Sequence, residues 1–346
     1  MTAPGPTNGL LDVAGLSIGQ HTLSGEGWLS GVTAILSDDG AMTAGVDVRG
    51  GGPGTRETDL LDPTATVQQV TAIVLSGGSA YGLAAADGVA DELGARGIGF
   101  SVGPTPDQVV PIVPAAVVFD LGRGGHFGLR PGHEAGASAA RAALTERQPL
   151  VQGCVGAGTG TVAGGLKGGI GSASTVLPDG AVVAALVVLN AMGSVIDQRT
   201  GELLAARYLL DAEPRLKRPE SAELQAYLIT CESLELPLTA TQNTTLAVVA
   251  TDLVLTKAQC RRLAGAGHDG LARGVNPVHT LFDGDTIFGL STGRRPAPDN
   301  AAQYGLISAA GDCVTRAVAH ALLSATSIST PGGSWRSYAD SFPSAV

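Results

Sequence analysis

Thr244 stands where a hydroxyl could act as a nucleophile. It follows Asn243 and precedes a strongly apolar run, 246–250, that predicts a buried strand. If the Asn243–Thr244 bond breaks, the new α-amine lies on the residue that carries the hydroxyl. An α-amine has a pKa of about 7.7–8.0, so part of it is free base near neutral pH and can activate that hydroxyl. We therefore predict that Thr244 attacks the Asn243 carbonyl, cuts the chain and then serves as the nucleophile.

Two other interpretations of this motif remain open. Threonine is β-branched and common in strands, and composition alone favours a structural role for Thr244. The triplet 243–245 is also an N-glycosylation sequon. The chain begins without the basic and apolar segments of a signal peptide, so we expect a cytoplasmic protein that never meets the glycosylation machinery.

Lys167 is the second residue whose surroundings suggest a function. Between Arg147 and Asp179 it is the only charged residue, in a tract of glycine, alanine and valine. A solvated surface would scatter charges, so a single cation here predicts a place beside a pocket. The tract is similar to a nucleotide-binding loop, but Leu166 precedes the lysine and Gly168 follows it, which a Walker A loop does not allow. We expect no nucleotide and no other cofactor.

Polar side chains at two strand ends complete the candidate set. Asn190 follows the apolar run 181–189, where its amide could donate to an oxyanion or form a turn. Asp283 and Asp285 flank a glycine just before another apolar run. This pair could form a turn, a metal site or part of a catalytic network. Metal binding is disfavoured, because only His279 lies near the two carboxylates and an N-terminal threonine needs no metal.

Charge and hydropathy argue against several classes of protein. The 346 residues include 21 basic and 31 acidic ones, a net charge of −10, with no basic stripe to bind nucleic acid. The sequence contains no run of about 18 uncharged apolar residues, so we expect no membrane span. Only 15% of residues are charged, against about 25% in typical proteins. So few charges predict large subunit interfaces, and we expect a homo-oligomer.

Strands and helices are predicted to form the layers that position these residues. Short alternating runs within 11–50 predict antiparallel strands. Further strands are predicted at 70–75, 109–120, 181–189, 244–251 and 286–290. Helices are predicted at 80–93, 133–146, 202–210, 257–273 and 301–324, and their alanine and glycine content indicates close packing. The charged, proline-bearing segment 211–238 predicts a linker.

Several motifs occur in a specific order and spacing. They are the segments 44–59, 75–83, 243–252, 268–273 and 283–286. Together they resemble the DmpA-type aminopeptidases and nylon-oligomer hydrolases, a family of self-cleaving N-terminal-nucleophile hydrolases. The resemblance extends over nearly the whole chain, and the threonine and aspartate choices are closer to the nylon-oligomer branch.

The resemblance implies an αββα four-layer sandwich. It also implies one structural domain that is cut into a large chain, 1–243, and a small chain, 244–346, which stay together, usually in a tetramer of such pairs. The family's functional positions fall on residues that were already candidates: Thr244 as nucleophile, Lys167 as active-site lysine, Asn190, and Asp283 with Asp285 as the acidic pair.

One position departs from the family. Characterised members carry a tyrosine where this chain has Phe119, so a hydroxyl that could donate near the scissile carbonyl is missing. Tyr81 could replace it, and both residues are candidates for the substrate pocket. The run 117–119 predicts a buried strand, which favours a core position for Phe119.

These patterns predict an amide-bond hydrolase that acts on small amides or short peptides through a Thr244 acyl-enzyme. Asn190 would help to stabilise the oxyanion, and Lys167 would tune the charge near the nucleophile. Asp283 and Asp285 would orient or polarise the hydroxyl. Two alternatives remain: an acyltransferase that passes the acyl group to an amine, and a non-catalytic, self-cleaved oligomer that binds a small ligand through its glycine-rich loop.

Overall fold

Two β-sheets lie at the centre of the computed structural model, which describes residues 3–233 and 243–346. The strands of the first sheet, in spatial order, are β1 (Leu16–Gly25), β2 (Trp28–Ser37), β6 (Ala72–Ser76), β9 (Ala115–Val117) and β4 (Thr55–Arg56). β6 and β9 run parallel, and the other neighbours are antiparallel.

The second sheet has six strands. In spatial order they are β12 (Ile170–Val176), β13 (Val182–Val188), β14 (Leu246–Leu253), β15 (Thr286–Arg295), β3 (Met42–Val48) and β5 (Gln69–Val70). β14 and β15 run parallel and the other neighbours antiparallel. Three short pairs complete the described strands: β7 (Phe100–Ser101) with β8 (Val109–Val110), β10 (Val162–Ala163) with β11 (Leu166–Lys167), and β16 (Ile328–Thr330) with β17 (Gly333–Trp335).

Helices cover the outer face of each sheet. The first sheet carries α1 (Ala85–Gly94) and α2 (His133–Arg141), and the second carries α4 (Lys257–Gly274) and α5 (Asn300–Leu323). Two shorter helices, α3 (Ser221–Ser233) and α6 (Tyr338–Ser341), contact each other. One apolar cluster fills the space between the sheets, and one lies between each sheet and its helices. This order of layers confirms the predicted αββα sandwich.

Glycine allows the helices to lie directly on the sheets. A Cβ added to Gly19 in β1 would come within 1.9 Å of the Ala139 carbonyl oxygen in α2. A Cβ added to Gly171 in β12 would come equally close, 1.9 Å, to the Ala317 carbonyl oxygen in α5. Any side chain at these positions would push the helix away, so the glycine content does indicate close packing.

Most of the predicted helices and long strands are confirmed within a few residues. The helix predicted at 80–93 begins as a 3₁₀ segment. The prediction of a helix at 202–210 was wrong. Only Ala206–Tyr208 forms a 3₁₀ turn, because backbone groups at the start of this segment hydrogen-bond to the loop 195–197 instead of to each other. The segment 211–238 is not simply a linker, since it contains α3; its last residues lie outside the described part of the chain.

Helix α5 is long and apolar enough to cross a membrane by length and composition. However, 78% of its most apolar window is buried inside the protein, where α5 packs on β12, β13 and α4. α5 is therefore a core helix, packed on the second sheet.

A buried ionic cluster joins the two segments on either side of Thr244. Glu213 accepts hydrogen bonds from Arg316 Nε at 2.9 Å and Nη2 at 2.7 Å, and its Oε1 lies 2.9 Å from His320 Nε2. Asn8 donates to Glu213 and accepts from Arg316. Burial raises the pKa of Glu213, but the bonds from His320 and Arg316 outweigh it and hold that pKa well below its usual value. We call these four residues the Glu213 cluster.

Candidate active site

Strand pairing brings Asn190 and the acidic pair beside Thr244. β13 and β14 are antiparallel in a register that places Asn190 opposite Thr244. β14 and β15 are parallel in a register that places Gly284 beside Thr244. The Thr244 N–H donates to the Asn190 carbonyl oxygen at 2.7 Å, and Asn243 forms a β-bridge with Asp283. Residues far apart in the sequence therefore meet at the ends of three neighbouring strands.

The Thr244 hydroxyl lies against the bond that we predict to be cleaved. Thr244 is only 5% exposed, and its Oγ1 donates to the Asn243 carbonyl oxygen at 2.6 Å. The same oxygen accepts the Gly284 N–H at 3.1 Å. A Cβ on Gly284 would come within 2.7 Å of Thr244 Oγ1 and of the Gly52 carbonyl oxygen. Glycine is thus required where an N–H polarises the Asn243 carbonyl.

Asp285 holds the chain on both sides of the site. Its Oδ1 accepts the Thr245 N–H at 2.8 Å, and its Oδ2 lies 2.8 Å from His279 Nδ1. The His279 ring in turn contacts the His268 ring edge-on, with the centroids 4.7 Å apart. Across residues 3–233 and 243–346, no group of three or more His, Cys, Asp or Glu side chains is placed to hold a metal ion.

Asp283 holds the loop that precedes Gly284. It accepts the Thr280 N–H at 2.9 Å and the Thr280 hydroxyl at 2.6 Å, and the Met192 N–H at 3.3 Å. Burial, together with the neighbouring Asp285 carboxylate, raises the pKa of Asp283. Within the described residues, neither carboxylate hydrogen-bonds the Thr244 hydroxyl, so both stabilise the loops around it.

Asn190 is fixed in one orientation by two donors. Arg123 Nη1 and the Val162 N–H donate to Asn190 Oδ1, at 2.6 Å and 3.0 Å. The amide nitrogen therefore faces the other way and donates to the Phe119 carbonyl oxygen at 3.2 Å. An amide nitrogen carries two N–H groups, but among the described residues neither of them donates to the Asn243 carbonyl oxygen, and Asn190 does not line the cavity over Thr244.

Arg123 is a site residue that sequence reasoning missed. Its guanidinium also donates to the Gly160 carbonyl oxygen at 2.7 Å and to Asn243 Oδ1 at 3.0 Å. Burial lowers the pKa of Arg123 to about 10, against the opposing effect of Asp120, so the group stays charged at neutral pH. Its sequence signal is weaker than that of Lys167, because Arg123 lies between glycines but Asp120 and Arg130 stand close to it in the chain.

Lys167 is fully buried and does not hydrogen-bond the Thr244 hydroxyl within the described residues. Its Nζ donates to three backbone carbonyls, those of Gly158 at 3.3 Å, Thr161 at 2.9 Å and Gly168 at 2.8 Å. An ammonium has three N–H donors, and all of them are used. Burial lowers the pKa of Lys167 to about 8. The lysine thereby holds the turn that contributes the Val162 N–H to the site.

A cavity of about 310 Å³ opens over Thr244. It is lined by Gly52, Pro53, Gly54, Ser79, Ala80, Val117, Phe119, Asn243, Thr244, Leu281 and Phe282. Phe119 follows β9 and is half-buried, so the core position favoured by its apolar neighbours was wrong: it lines the cavity.

Tyr81, the other predicted pocket residue, does not line this cavity. Its side chain is 54% exposed, and the Arg130 guanidinium lies 3.6 Å above the centre of its ring. This cation–π contact keeps the ring at the surface. Tyr81 therefore does not replace the hydroxyl that Phe119 lacks, and that part of the prediction was wrong.

The fold and this site define a hydrolase of amide bonds, and the comparisons with known proteins agree. The chain belongs to peptidase family S58, whose sequence model matches residues 8–335. It is 45% identical to an uncharacterized aminopeptidase of Mycobacterium leprae, over 93% of this chain and 92% of that one. It is 31% identical to a 6-aminohexanoate-oligomer endohydrolase of Kocuria, over 81% of this chain and 74% of that one.

Solved structures show the same fold at low sequence identity. A β-aminopeptidase of Burkholderia superposes with a TM-score of 0.73 at 22% identity, over 99% of this chain and 95% of that one. The L-aminopeptidase D-Ala-esterase/amidase of Ochrobactrum anthropi, described as a variant of the Ntn hydrolase fold, gives 0.71 at 21% identity, over 97% and 92%. The predicted family and the Ntn-hydrolase type of fold are both confirmed.

Proposed function

We propose that the protein cuts itself between Asn243 and Thr244 and then hydrolyses amides through an acyl-enzyme on Thr244. One observation carries the proposal. The Thr244 hydroxyl donates to the Asn243 carbonyl oxygen at 2.6 Å, the Gly284 N–H donates to the same oxygen, and a cavity opens over both residues. A nucleophile, a polarised carbonyl and a donor for the developing oxyanion are what acyl transfer needs.

In the proposed self-cleavage, Thr244 Oγ1 attacks the Asn243 carbonyl carbon. Negative charge develops on the carbonyl oxygen, where the Gly284 N–H already donates. The C–N bond breaks, the nitrogen of Thr244 takes up the hydroxyl proton, and an ester links Asn243 to Oγ1. Water then opens the ester, which leaves a carboxylate on Asn243 and a free α-amine on Thr244.

In the proposed turnover, the α-amine of Thr244 takes the place of the broken amide and accepts the hydroxyl proton. The Asn190 carbonyl oxygen, 2.7 Å from this nitrogen, holds the amine near Oγ1. The substrate carbonyl occupies the position of the Asn243 carbonyl and receives the Gly284 N–H. The amine product leaves, and water hydrolyses the ester to release the acid.

We also propose that the protein is a homo-oligomer, as its low charge content leads us to expect. Several large apolar side chains are exposed, including Leu281 at 84% and Tyr304 at 80%. Such surface favours association. Sedimentation equilibrium should report a mass several times the 34.5 kDa of one chain, and a monomer would contradict this proposal.

Intact mass spectrometry tests the self-cleavage. The purified protein should contain chains 1–243 and 244–346, the second with 346 − 243 = 103 residues. Thr244→Ala should remain uncut and inactive on amides. Thr245→Val is the matched control: the Thr245 hydroxyl is buried and has no hydrogen-bond partner among the described residues, so its loss should leave cleavage unchanged. An uncut wild-type chain that is fully active would rule out the mechanism.

Product analysis separates hydrolysis from the alternatives. Incubation of an amide substrate with a primary amine should yield chiefly the free acid. A new amide between the acyl group and the added amine as main product would instead identify an acyltransferase. A cut protein that turns over no amide or ester would favour a ligand-binding role.

A further inference from the structure

The side chain of Asn243 marks the place that a substrate's acyl group takes. Asn243 carries the carbonyl carbon that Thr244 attacks in the proposed self-cleavage. In the proposed acyl-enzyme, the substrate carbonyl is joined to the same Thr244 Oγ1 and uses the same Gly284 N–H. The groups that surround Asn243 in the uncut chain are therefore the groups that meet the substrate's acyl residue afterwards.

Three contacts define these surroundings. Asn243 Oδ1 accepts from Arg123 Nη2 at 3.0 Å, and a guanidinium can only donate, so the oxygen must face it. Asn243 Nδ2 lies 3.5 Å from Met192 Sδ. The Asn243 backbone N–H donates to the Phe282 carbonyl oxygen at 3.2 Å. At this position, the side chain of the bound residue meets a charged donor, the Arg123 guanidinium, and its backbone nitrogen meets an acceptor, the Phe282 carbonyl oxygen.

Arg123 keeps its place without Asn243. Its Nη1 donates to the Gly160 carbonyl oxygen at 2.7 Å and to Asn190 Oδ1 at 2.6 Å. When Asn243 leaves, Nη2 therefore remains as a fixed donor that faces the acyl position. A donor held by other bonds needs no reorganisation to bind a ligand, which makes it selective.

We infer that Arg123 selects substrates whose acyl group carries an acceptor oxygen on its γ carbon, as asparaginyl and aspartyl amides do. This inference rests on the proposed function. The Phe282 carbonyl would accept the free α-amine of such a substrate, which fits removal of an N-terminal residue. The positive charge of Arg123, which faces the side chain at this position, also suits an aspartyl carboxylate.

The test compares L-asparaginyl and L-leucyl p-nitroanilides, because leucine matches asparagine in shape and lacks the acceptor. The self-cleaved wild-type enzyme should show a kcat/KM at least about tenfold higher for the asparaginyl substrate. Arg123→Met should bring the ratio close to one by losing activity mainly on the asparaginyl substrate. Arg199→Met is the matched control, since this arginine is exposed and bonds Asp197; the ratio should not change.

Arg123 also holds Asn190, so a positioning role must be separated from selection. Positioning alone predicts equal loss on both substrates with the ratio unchanged, and that result would overturn the inference. If Arg123→Met fails to cut itself, inhibition of the wild-type enzyme decides. Free L-asparagine should inhibit at least about tenfold more tightly than free L-leucine, and equal inhibition would overturn the inference.

The uncut chain gives a second test that needs no substrate. Asn243→Leu should cut itself at least about tenfold more slowly than Asn243→Asp, because only aspartate offers Arg123 an acceptor. Equal rates would count against selection by Arg123. An uncut wild-type protein, or a cut one without amide activity, contradicts the proposed function itself. A cut, active enzyme without preference contradicts this inference alone.

Discussion

Two buried groups of charges in this chain are partnered in opposite ways. In the Glu213 cluster, Arg316 and His320 meet one carboxylate, and the Arg316 and Glu213 side chains are at most 3% exposed. At the site, the oxygens that accept hydrogen bonds from Arg123 and Lys167 within the described residues are uncharged, and Lys167 also lies beside the Cys154 thiol. The first group pairs its charges internally, and the second leaves its cations without a directly bonded anion.

The difference separates a structural cluster from a functional one. Removing charges from water is costly, and direct pairing offsets much of that cost in the Glu213 cluster. At the site, the Asp120 carboxyl lies near both cations without a hydrogen bond to either within the described residues, and burial raises its pKa. Perturbed, incompletely paired groups of this kind concentrate at functional sites. Substitutions in the Glu213 cluster should therefore lower stability more than activity. Substitutions at the site should lower activity more than stability.

The largest effect on stability is expected for Glu213→Gln. It leaves Arg316 buried without a counter-charge, and breaking a buried pair costs about 3–5 kcal/mol. Urea unfolding in a Thr244→Ala background, which keeps the chain uncut, measures the change. Asp197→Asn, which breaks a solvent-exposed pair with Arg199, is the control and should leave stability nearly unchanged, because exposed ion pairs contribute little.

The effect of Glu213→Gln should also depend on pH. The folded pKa of Glu213 lies below its ordinary value of 4.5, so its contribution is present above that pH and is lost as the pH falls below it. The difference between the two proteins should therefore shrink in acid. Equal stability of both at neutral pH would show that the cluster does not hold the two segments together.

Lys167→Met should reduce self-cleavage or turnover by at least about tenfold, or 1.4 kcal/mol of activation free energy. The substitution removes the donor to three carbonyls that hold the turn beside Val162. It also removes a buried charge, so the net change in stability should be small. Circular dichroism and urea unfolding check folding, and a folded variant with wild-type kinetics would return Lys167 to a purely structural role.

Titration of Lys167 should change turnover and stability in opposite directions as the pH rises. Above its pKa of about 8 the amine has only two donors, so wild-type turnover should fall as the pH rises through that value. Stability should change in the other direction. The folded pKa lies below the ordinary 10.5, so the unfolded chain binds the proton more tightly, and this group's contribution rises between pH 8 and 10.5. Lys167→Met should lack both effects.

Gly284→Ala should slow self-cleavage by about tenfold. A Cβ there would lie 2.7 Å from Thr244 Oγ1 and must displace the hydroxyl or the loop. Gly305→Ala in α5 is the control, because outside its own helix backbone and chain neighbours no described residue lies within 4 Å of its added Cβ. Cleavage rates from intact mass spectrometry of freshly made protein give the comparison. Equal rates for the two variants would mean that the hydroxyl tolerates displacement.

Local sequence patterns predicted the parts of the site that are local. Thr244 precedes an apolar strand, and Lys167 stands alone in an uncharged tract, so each was visible without a structure. The same rule does not find Arg123, because Asp120 and Arg130 lie close to it in the sequence. The contacts of Asn190 and Gly284 could not be predicted, because they depend on the register between strands that are distant in the sequence.

For Phe119, the local sequence predicted the wrong position, because its place depends on where strand β9 ends. The apolar run before it predicted burial, but β9 ends at Val117 and the chain turns, which brings the ring to the cavity. An apolar run cannot show where a strand ends, since the end depends on the pairing partner. The consequence is that a hydroxyl added to this ring would enter open space.

The smallest effect is expected for Phe119→Tyr. A well-aimed oxyanion donor is worth about 2.7–4 kcal/mol, and a donor that the site was not built around should give far less. An unpaired buried hydroxyl would cost about 1–3 kcal/mol, but water in the cavity can reach this one. We therefore expect kcat on short amides to rise by roughly two- to tenfold with an unchanged melting temperature. Tyr81→Phe, which removes an exposed hydroxyl outside the cavity, should change neither quantity. A lower melting temperature for Phe119→Tyr with the same kcat would mean that the ring is packed as core, and that the Gly284 N–H already supplies the donor that the oxyanion uses.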